Sequence, residues 1–220
     1  MPEGPEVEYW VEYLNNKTKN LFITDVYNLP PTVLDKGQSV FFLRNGKEMW
    51  ICLTPTCPAV QIRFGINGTV VNEFPTEQRK CATDGNLRFF ALCFATFQFG
   101  IVIPVGSHGS IQCPEVATFV PPAWGPDFSQ LTAETFWLLL SSVYSKKNID
   151  MWLRNPKHMT GFGKRYTSTA LRMFGTTTWP ATLEDATQLF TCMKSVWNHA
   201  LTRYRSLPTL LEYPAMRSFL

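Results

Sequence analysis

The sequence lacks the residue groupings that usually mark a metal site or a disulfide framework. None of its six cysteines belongs to a C-x2-C pair, and its three histidines lie far apart in the chain. No His, Cys or carboxylate cluster has the spacing of metal ligands, which argues against a zinc ribbon. We therefore expect neither a metal nor a cofactor, and we expect most of the cysteines to be reduced and packed.

Long apolar runs are also missing. No uninterrupted stretch approaches the roughly 18 residues that a bilayer span requires. The first residues, Met1-Pro2-Glu3-Gly4-Pro5-Glu6, are acidic and proline-rich, whereas a secretory signal starts with basic and apolar residues. We expect a soluble intracellular protein with no membrane association.

The overall composition is that of a globular chain, with 45% hydrophobic and 17% charged residues over 220 positions. The charge, however, is unevenly placed. Between Lys146 and Arg205 there are ten basic and three acidic residues, a local balance of +7 that leaves −4 for the rest, since the net charge is +3. A basic half of this kind suits a polyanion such as DNA, although a solvated helical surface would have the same composition.

The first half of the chain carries the pattern of a β-rich domain. A preceding helix is predicted from apolar residues at i, i+3, i+4 and i+7 between Val7 and Leu14. From about residue 21 to residue 120, short β-rich runs alternate with turn signals, and Arg44-Asn45-Gly46-Lys47 has the composition of a hairpin turn. Strands at this spacing indicate a two-layer β-sandwich.

The second half is helical and begins after a Pro/Gly-rich link at 121–126. Helices are predicted over 131–144, 147–154, 165–174 and 183–203, the last opened by a Thr182-x-x-Asp185 capping box. The predicted fold class is α+β. An N-terminal helix and a two-layer β-sandwich form a domain over 1–125, followed by an all-helical domain over 126–220.

The N-terminus carries the most distinctive chemistry. If Met1 is removed, Pro2 presents a secondary α-amine, and an α-amino group titrates near 7.7–8.0 against about 10.4 for lysine. Such an amine can attack C1′ of a deoxyribose, and the resulting iminium ion promotes elimination of the 3′ phosphate. Glu3 is placed to protonate the sugar ring oxygen, and Glu6, one helical turn on, to assist proton transfer. The same two carboxylates could instead simply stabilise the start of a helix.

Taken as a string, Met1-Pro2-Glu3-Gly4-Pro5-Glu6 resembles the N-terminal signature of the formamidopyrimidine-DNA glycosylase and endonuclease VIII family, in the form of its vertebrate endonuclease VIII-like branch. Four further segments follow in the order of the family motifs. They are Arg63–Thr69, similar to R-F-G-M-S-G-S; Leu87–Gly100, similar to the strands before an arginine-bearing loop; Gly125-Pro126-Asp127, similar to L-G-P-[ED]; and 146–171, similar to the helix–two-turns–helix element.

The resemblance implies a base-excision DNA-repair enzyme, namely a DNA glycosylase with β-elimination AP lyase activity that uses Pro2, Glu3 and Glu6. Damaged or abasic DNA, duplex or single-stranded, would lie in the cleft between the two domains, with the damaged base extruded. Gly161 and Gly163 would form a phosphate-binding turn at a helix start, although an ordinary turn between helices is the alternative. The other DNA-binding positions that the resemblance implies are Ile66, Gln98, Lys147, Lys164 and Arg165.

Four departures from the family pattern bear on activity. The lysine of the R-G-K pattern in the first hairpin, which contributes to catalysis beside the damaged nucleotide, corresponds to Gln38 in Asp35-Lys36-Gly37-Gln38. The void-filling methionine and arginine correspond to Ile66 and Gln98, and the asparagine after the G-x-G turn corresponds to Lys164. The zinc or zincless finger at the C-terminal end of family members is not expected in these 220 residues, and its loss would weaken DNA binding.

Two hypotheses therefore stay open. In the first, the protein is a glycosylase and lyase, impaired relative to the family. In the second, it is a catalytically inactive relative that binds DNA or serves as a structural part of a nucleoprotein assembly. An unrelated globular protein with an accidental N-terminus is a third reading of the sequence. We expect a nuclear location or another DNA-containing compartment, and the sequence does not name the lesion.

Overall fold

The computed structural model describes residues 3–30, 32–54, 57–65, 68–72, 87–104, 106–113, 124–142 and 148–207. Within these ranges the first half contains one helix and eight strands: α1 (Gly4–Thr18), β1 (Ile23–Tyr27), β2 (Phe41–Asn45), β3 (Glu48–Thr54), β4 (Cys57–Arg63), β5 (Thr69–Val71), β6 (Leu87–Phe94), β7 (Gln98–Pro104) and β8 (Ser110–Gln112). The described part of the second half contains a 3-10 turn (Phe128–Gln130) and four helices: α2 (Ala133–Ser141), α3 (Ile149–Leu153), α4 (Lys164–Phe174) and α5 (Leu183–Arg205).

The strands form two four-stranded antiparallel sheets, which confirms the predicted β-sandwich. One sheet has the order β1-β6-β7-β5 and the other the order β2-β3-β4-β8. The β2–β3 hairpin pairs Asn45 with Glu48, so its loop is Gly46-Lys47, and Gly46 adopts a positive φ of 61° that favours glycine. The turn predicted from the sequence at 44–47 is therefore present.

One large hydrophobic cluster joins α1, the two sheets and the helices, and a smaller one is formed by Val71, Phe89 and Ala91. Trp10 of α1 packs on Phe64 with 4.6 Å between ring centroids, and Phe42 meets Phe99 across the sheets at 5.4 Å. Farther along the chain, Phe128 contacts Phe162 at 4.5 Å. Trp10 therefore packs α1 against the sandwich, while the division into domains at residue 125 remains a prediction.

The helices of the second half begin and end close to the predicted residues. Thr182 accepts a hydrogen bond from the Asp185 N–H at 3.1 Å and donates its own N–H to the Asp185 carboxylate at 3.2 Å, which confirms the predicted capping box. Helix α4 ends at Gly175, whose φ of 86° is the left-handed geometry of a helix C-terminus. Within the described ranges, no helix combines the length and the apolar content needed to cross a bilayer.

Candidate active site

Glu3 connects the start of the chain to the start of helix α4. Its side chain is buried, and its carboxylate accepts hydrogen bonds from three backbone N–H groups, those of Gly163 at 3.1 Å, Arg165 at 3.2 Å and Tyr166 at 3.3 Å. Gly163 is the N-cap of α4 and has no side chain to satisfy these donors. Glu3 therefore caps a helix about 160 residues away, and the helix dipole favours its negative charge.

Glycines make this close approach possible. A Cβ on Gly163 would lie 2.7 Å from Lys47 Nζ and still closer to the Glu3 carboxylate. Gly4 donates its N–H to the carbonyl of Gly161 at 2.8 Å, and a Cβ on Gly4 would collide with the Trp197 ring. The family resemblance predicts a phosphate-binding turn at Gly161 and Gly163. In the structure Glu3 already accepts the N–H of Gly163, and phosphate binding at this turn stays a prediction.

Lys47 brings an amine to the same place. It is the second residue of the β2–β3 loop, and its Nζ lies beside Gly163 together with the Glu3 carboxylate. Burial lowers the pKa of Lys47, and the charge of Arg154 lowers it further, while Glu3 and Glu6 act in the opposite direction. A half-buried lysine with a lowered pKa beside a buried carboxylate is typical of a functional site.

Sequence reasoning missed Lys47 and chose Gln38 instead. In the structure Gln38 closes a turn before β2: its carbonyl accepts the N–H of Ile23 at 2.9 Å and its side-chain oxygen accepts the N–H of Asp35 at 2.8 Å. The lysine that the structure places beside Gly163 and Glu3 is Lys47. The signal was present in the sequence, since Gly46-Lys47 is also a glycine followed by a lysine in a hairpin.

An ion pair between Arg44 of β2 and Asp127 of the helical half holds the loop that carries Lys47. Asp127 accepts the N–H of Gly46 at 2.7 Å and binds the Arg44 guanidinium through both oxygens, at 2.7 and 2.8 Å. Arg44 in turn donates to the carbonyl of Gly46 at 3.0 Å and to the Ser129 hydroxyl at 2.6 Å. Both backbone groups of Gly46 are thus bound by one buried pair, which fixes the residue directly before Lys47.

Glu6 lies at the centre of a second polar network. It is fully buried, its carboxylate accepts the N–H of Glu3 at 3.2 Å, and it is ion-paired with Arg165. Burial raises the pKa of Glu6 although Arg165 opposes the shift. Arg165 also donates to the Tyr166 hydroxyl at 3.1 Å, which lies 3.0 Å from the Tyr204 hydroxyl. The Arg165 guanidinium is thus engaged by Glu6, and its expected contact with DNA stays a prediction.

The remaining expected DNA-binding residues are placed as follows. Lys164 is exposed at the first position of α4, where a phosphate can reach it. Gln98 lies at the start of β7, and its side-chain oxygen accepts a weak hydrogen bond from the Cys93 thiol at 3.8 Å. Pro2, Ile66 and Lys147 lie outside the described residues.

A small cavity opens beside Lys47. It has a volume of about 170 Å³ and is lined by Lys47, Glu48, Arg63, Phe64, Gly65, His108 and Trp124. Glu48 is buried and binds the Nε of Arg63, while the side-chain amide of Gln61 donates to it at 2.6 Å. The Arg63 guanidinium lies 5.1 Å from the centre of the Trp124 ring. Arg63 is thus held from two sides and remains 39% exposed, so it can meet an anion.

Solved structures show which proteins share this fold. MutM (Fpg) from Thermus thermophilus is 20% identical, with a TM-score of 0.69 over 91% of this chain and 76% of that chain. Lactococcus lactis formamidopyrimidine-DNA glycosylase, non-covalently bound to DNA with an AP site, is 16% identical, with a TM-score of 0.67 over 92% and 81%. A mutant of the L. lactis protein in complex with Fapy-dG-containing DNA is 17% identical, with a TM-score of 0.72 over 100% and 87%.

No family model matches the sequence, and a search of curated proteins gives no match. The fold comparison nevertheless extends over at least nine-tenths of this chain in each of these cases. The chain has the fold of the formamidopyrimidine-DNA glycosylases, as the sequence resemblance implied. The narrower assignment to a vertebrate endonuclease VIII-like branch stays a prediction.

Proposed function

We propose that this chain belongs to the formamidopyrimidine-DNA glycosylase and endonuclease VIII family and acts as a DNA glycosylase with AP lyase activity. The proposal is carried by one observation. Glu3, which directly follows Pro2 in the chain, lies beside both the start of α4 and the amine of Lys47. The structural neighbours support it, since the L. lactis protein is seen with DNA that contains an AP site or Fapy-dG.

In this mechanism the α-amine of Pro2 attacks C1′ of the damaged nucleotide and displaces the base. Glu3 exchanges a proton with the sugar ring oxygen as the ring opens, and its three N–H partners hold it in one orientation for that transfer. Lys47 supplies positive charge beside the reacting sugar. Glu6 acts through Glu3, because it accepts the Glu3 N–H and so fixes the peptide that follows Pro2.

Lys164 and Arg63 are both accessible to solvent, and we expect the DNA to approach them. Both can contact phosphates, which would hold the backbone while the damaged base is extruded. Ile66 and Gln98 are the candidates for filling the gap that the base leaves. Duplex and single-stranded DNA with a damaged or abasic site are the substrates to test, and a DNA-containing compartment would be the place of action.

The test is borohydride trapping on DNA with one abasic site. The untagged protein, whose N-terminal mass has been measured, is incubated with the DNA, and a covalent adduct is sought by gel shift and mass spectrometry. We expect the wild-type protein to form an adduct, and Pro2→Gly and Glu3→Gln to form less of it. A protein with a free Pro2 amine that binds the DNA but gives no adduct would contradict the enzyme proposal.

A DNA-binding protein without turnover is the second candidate. The observation that favours it is the uncharged side chain of Gln98, which binds Cys93 at a position where the family pattern has an arginine. The same experiment separates the two candidates, because the second predicts salt-dependent binding of abasic DNA with no adduct. The presence of Lys47 in the site removes one of the reasons for expecting impaired activity.

A further inference from the structure

Trp197 of α5 is buried against the start of the chain. The residue is 3% exposed. A Cβ on Gly4 would collide with its ring, and a Cβ on Gly161 would lie 3.0 Å from it. The same two glycines are joined by the hydrogen bond from the Gly4 N–H to the Gly161 carbonyl, at 2.8 Å. The indole ring therefore packs against both partners of the hydrogen bond that ties the chain start to the turn before α4.

The orientation of this ring is fixed, because it is held at its edge and among other rings. Its Nε1 donates a hydrogen bond to the Glu8 carboxylate at 3.2 Å. Phe162 is stacked on it, with 5.7 Å between ring centroids and 25° between the ring planes, and Phe128 lies 5.5 Å away. A tryptophan that is bound through its N–H and closely packed has little freedom to change its rotamer. Trp197 can therefore serve as a rigid support for the backbone at Gly4.

The ring is also linked to the β2–β3 hairpin. The Arg44 guanidinium lies 5.1 Å from the centre of the Trp197 ring, within the range of a cation–π contact, and 3.5 Å from the Glu8 carboxylate. Arg44 binds Asp127, whose carboxylate accepts the N–H of Gly46. Trp197 thus contacts both the chain start and the side chain that holds the hairpin, and it fixes the position of one relative to the other.

We propose that Trp197 is a positioning residue for the chemical step, which holds the Gly4 backbone so that the Pro2 amine stays within reach of C1′. The inference rests on the proposed function. Only Glu3 separates Gly4 from Pro2, so a shift of the Gly4 peptide moves both the amine and the carboxylate. A displacement of about 1 Å in a site can reduce a rate about 100-fold. The role involves no contact with DNA, so loss of the indole should lower the rate of the reaction and leave the affinity for DNA intact.

The test compares two buried tryptophans of the helical half. Trp152 is 2% exposed and stacks on His158 with 5.1 Å between ring centroids, so it matches Trp197 in burial. In Trp197→Leu we expect borohydride trapping of an abasic duplex to slow about 100-fold at saturating DNA, with an unchanged dissociation constant in fluorescence anisotropy. Trp152→Leu should lose stability in the same way and keep its trapping rate. Trp197→Phe keeps an aromatic ring but lacks the N–H, so its rate should stay within about tenfold of wild type.

A second measurement follows the chain start directly. Amide hydrogen exchange of Gly4, recorded by NMR on glycine-labelled protein, reports how firmly its N–H is bound to the Gly161 carbonyl. We expect exchange to be at least about tenfold faster in Trp197→Leu than in wild type and in Trp152→Leu, because the support of that hydrogen bond is lost. If Trp197→Leu does not fold, Trp197→Phe and Trp152→Phe give the same comparison with a smaller expected difference.

The outcomes separate this inference from the proposed function. Slower trapping with unchanged affinity and faster Gly4 exchange, both confined to the Trp197 variants, would establish the positioning role. Equal trapping rates in Trp197→Leu and Trp152→Leu would overturn it and leave the lyase proposal standing, and so would a loss of DNA affinity in place of the rate. No adduct from the wild type would contradict the proposed function and, with it, the role of Trp197 in the reaction.

Discussion

Asp127 accepts a hydrogen bond from the backbone N–H of Gly46 at 2.7 Å, although the two residues are 81 positions apart. The same carboxylate binds Arg44, so one acidic side chain of the helical half holds the hairpin that presents Lys47. Asp127 and Arg44 are both largely buried. Their pairing therefore links the stability of the protein to the geometry of its candidate site.

Asp127→Asn should lower both the stability of the protein and the rate at which it traps abasic DNA. Removal of one partner of a buried ion pair leaves the other charge uncompensated, which costs about 3 kcal/mol of unfolding free energy. The Gly46 N–H would also lose its charged acceptor, so trapping of abasic DNA should slow. Urea unfolding and the trapping rate measure the two effects, with Asp25→Asn as the control at an exposed pair that should cost less than about 1 kcal/mol. Equal stability of Asp127→Asn and Asp25→Asn would show that the buried pair does not hold the hairpin.

Gly163→Ala should show whether the positions of Glu3 and Lys47 affect the trapping rate independently of the stability of the fold. The added Cβ would push against Glu3 and Lys47, and a displacement of about 1 Å in a site can reduce a rate about 100-fold. Gly175→Ala is the control, since its Cβ would meet nothing within 4 Å and the cost comes only from its φ of 86°. We expect the control to lose about 1 kcal/mol of stability and to keep its trapping rate. Equal trapping rates for the two variants would contradict the role of close packing at Gly163.

The sequence predicted the parts of this site that depend on local pattern. The capping box at Thr182 and the turn at 44–47 follow from short-range signals. The contact between Glu3 and Gly163 could be anticipated only through the family resemblance, because 160 positions separate the two residues.

The sequence is ambiguous where tertiary contacts decide which residues meet. Gly37-Gln38 and Gly46-Lys47 are both glycine-led pairs near a strand start, and only Asp127 reveals which of them faces the site. Arg165 begins a helix beside a phosphate-binding motif, so a DNA contact was a reasonable inference from sequence. Whether its guanidinium turns outward or toward buried Glu6 depends on the packing of α1 against α4, which no periodicity encodes.

Lys47→Met should change how stability depends on pH. The pKa of Lys47 is lowered by burial, so between that lowered value and 10.5 the folded state binds fewer protons than the unfolded state. The free energy of unfolding of the wild type should therefore rise with pH across this interval, relative to Lys47→Met. Lys36→Met should change the pH dependence of the free energy of unfolding in the opposite direction. Asp25 raises the pKa of Lys36, so the stability that Lys36 contributes is lost as the pH rises above 10.5. Urea unfolding at several pH values checks both, and identical pH profiles for wild type and Lys47→Met would be the contrary result.

Arg63→Gln should reveal whether the cavity binds a phosphate. Loss of one phosphate contact reduces the slope of log K against log salt concentration by about 1. Glu48→Gln tests the support of Arg63, because it removes the charge that holds the Nε without removing the guanidinium. We expect a smaller loss of affinity for abasic duplex in Glu48→Gln than in Arg63→Gln, measured by fluorescence anisotropy at several salt concentrations. An unchanged salt slope in Arg63→Gln would exclude a phosphate at this residue.

The Glu6–Arg165 pair is suited to a double-mutant cycle. Arg165→Met leaves a fully buried carboxylate without its charged partner and should cost about 3 kcal/mol, and Glu6→Gln leaves the guanidinium without its carboxylate. If the two residues act as a pair, the double variant Glu6→Gln/Arg165→Met should lose less unfolding free energy than the two single variants together. The reason is that the second substitution removes the charge that the first one left without a partner. Additive costs in urea unfolding would show that Arg165 does not stabilise Glu6. Because Glu6 binds the Glu3 N–H, a coupled pair also predicts that Arg165→Met slows trapping, while the exposed control Arg172→Met does not.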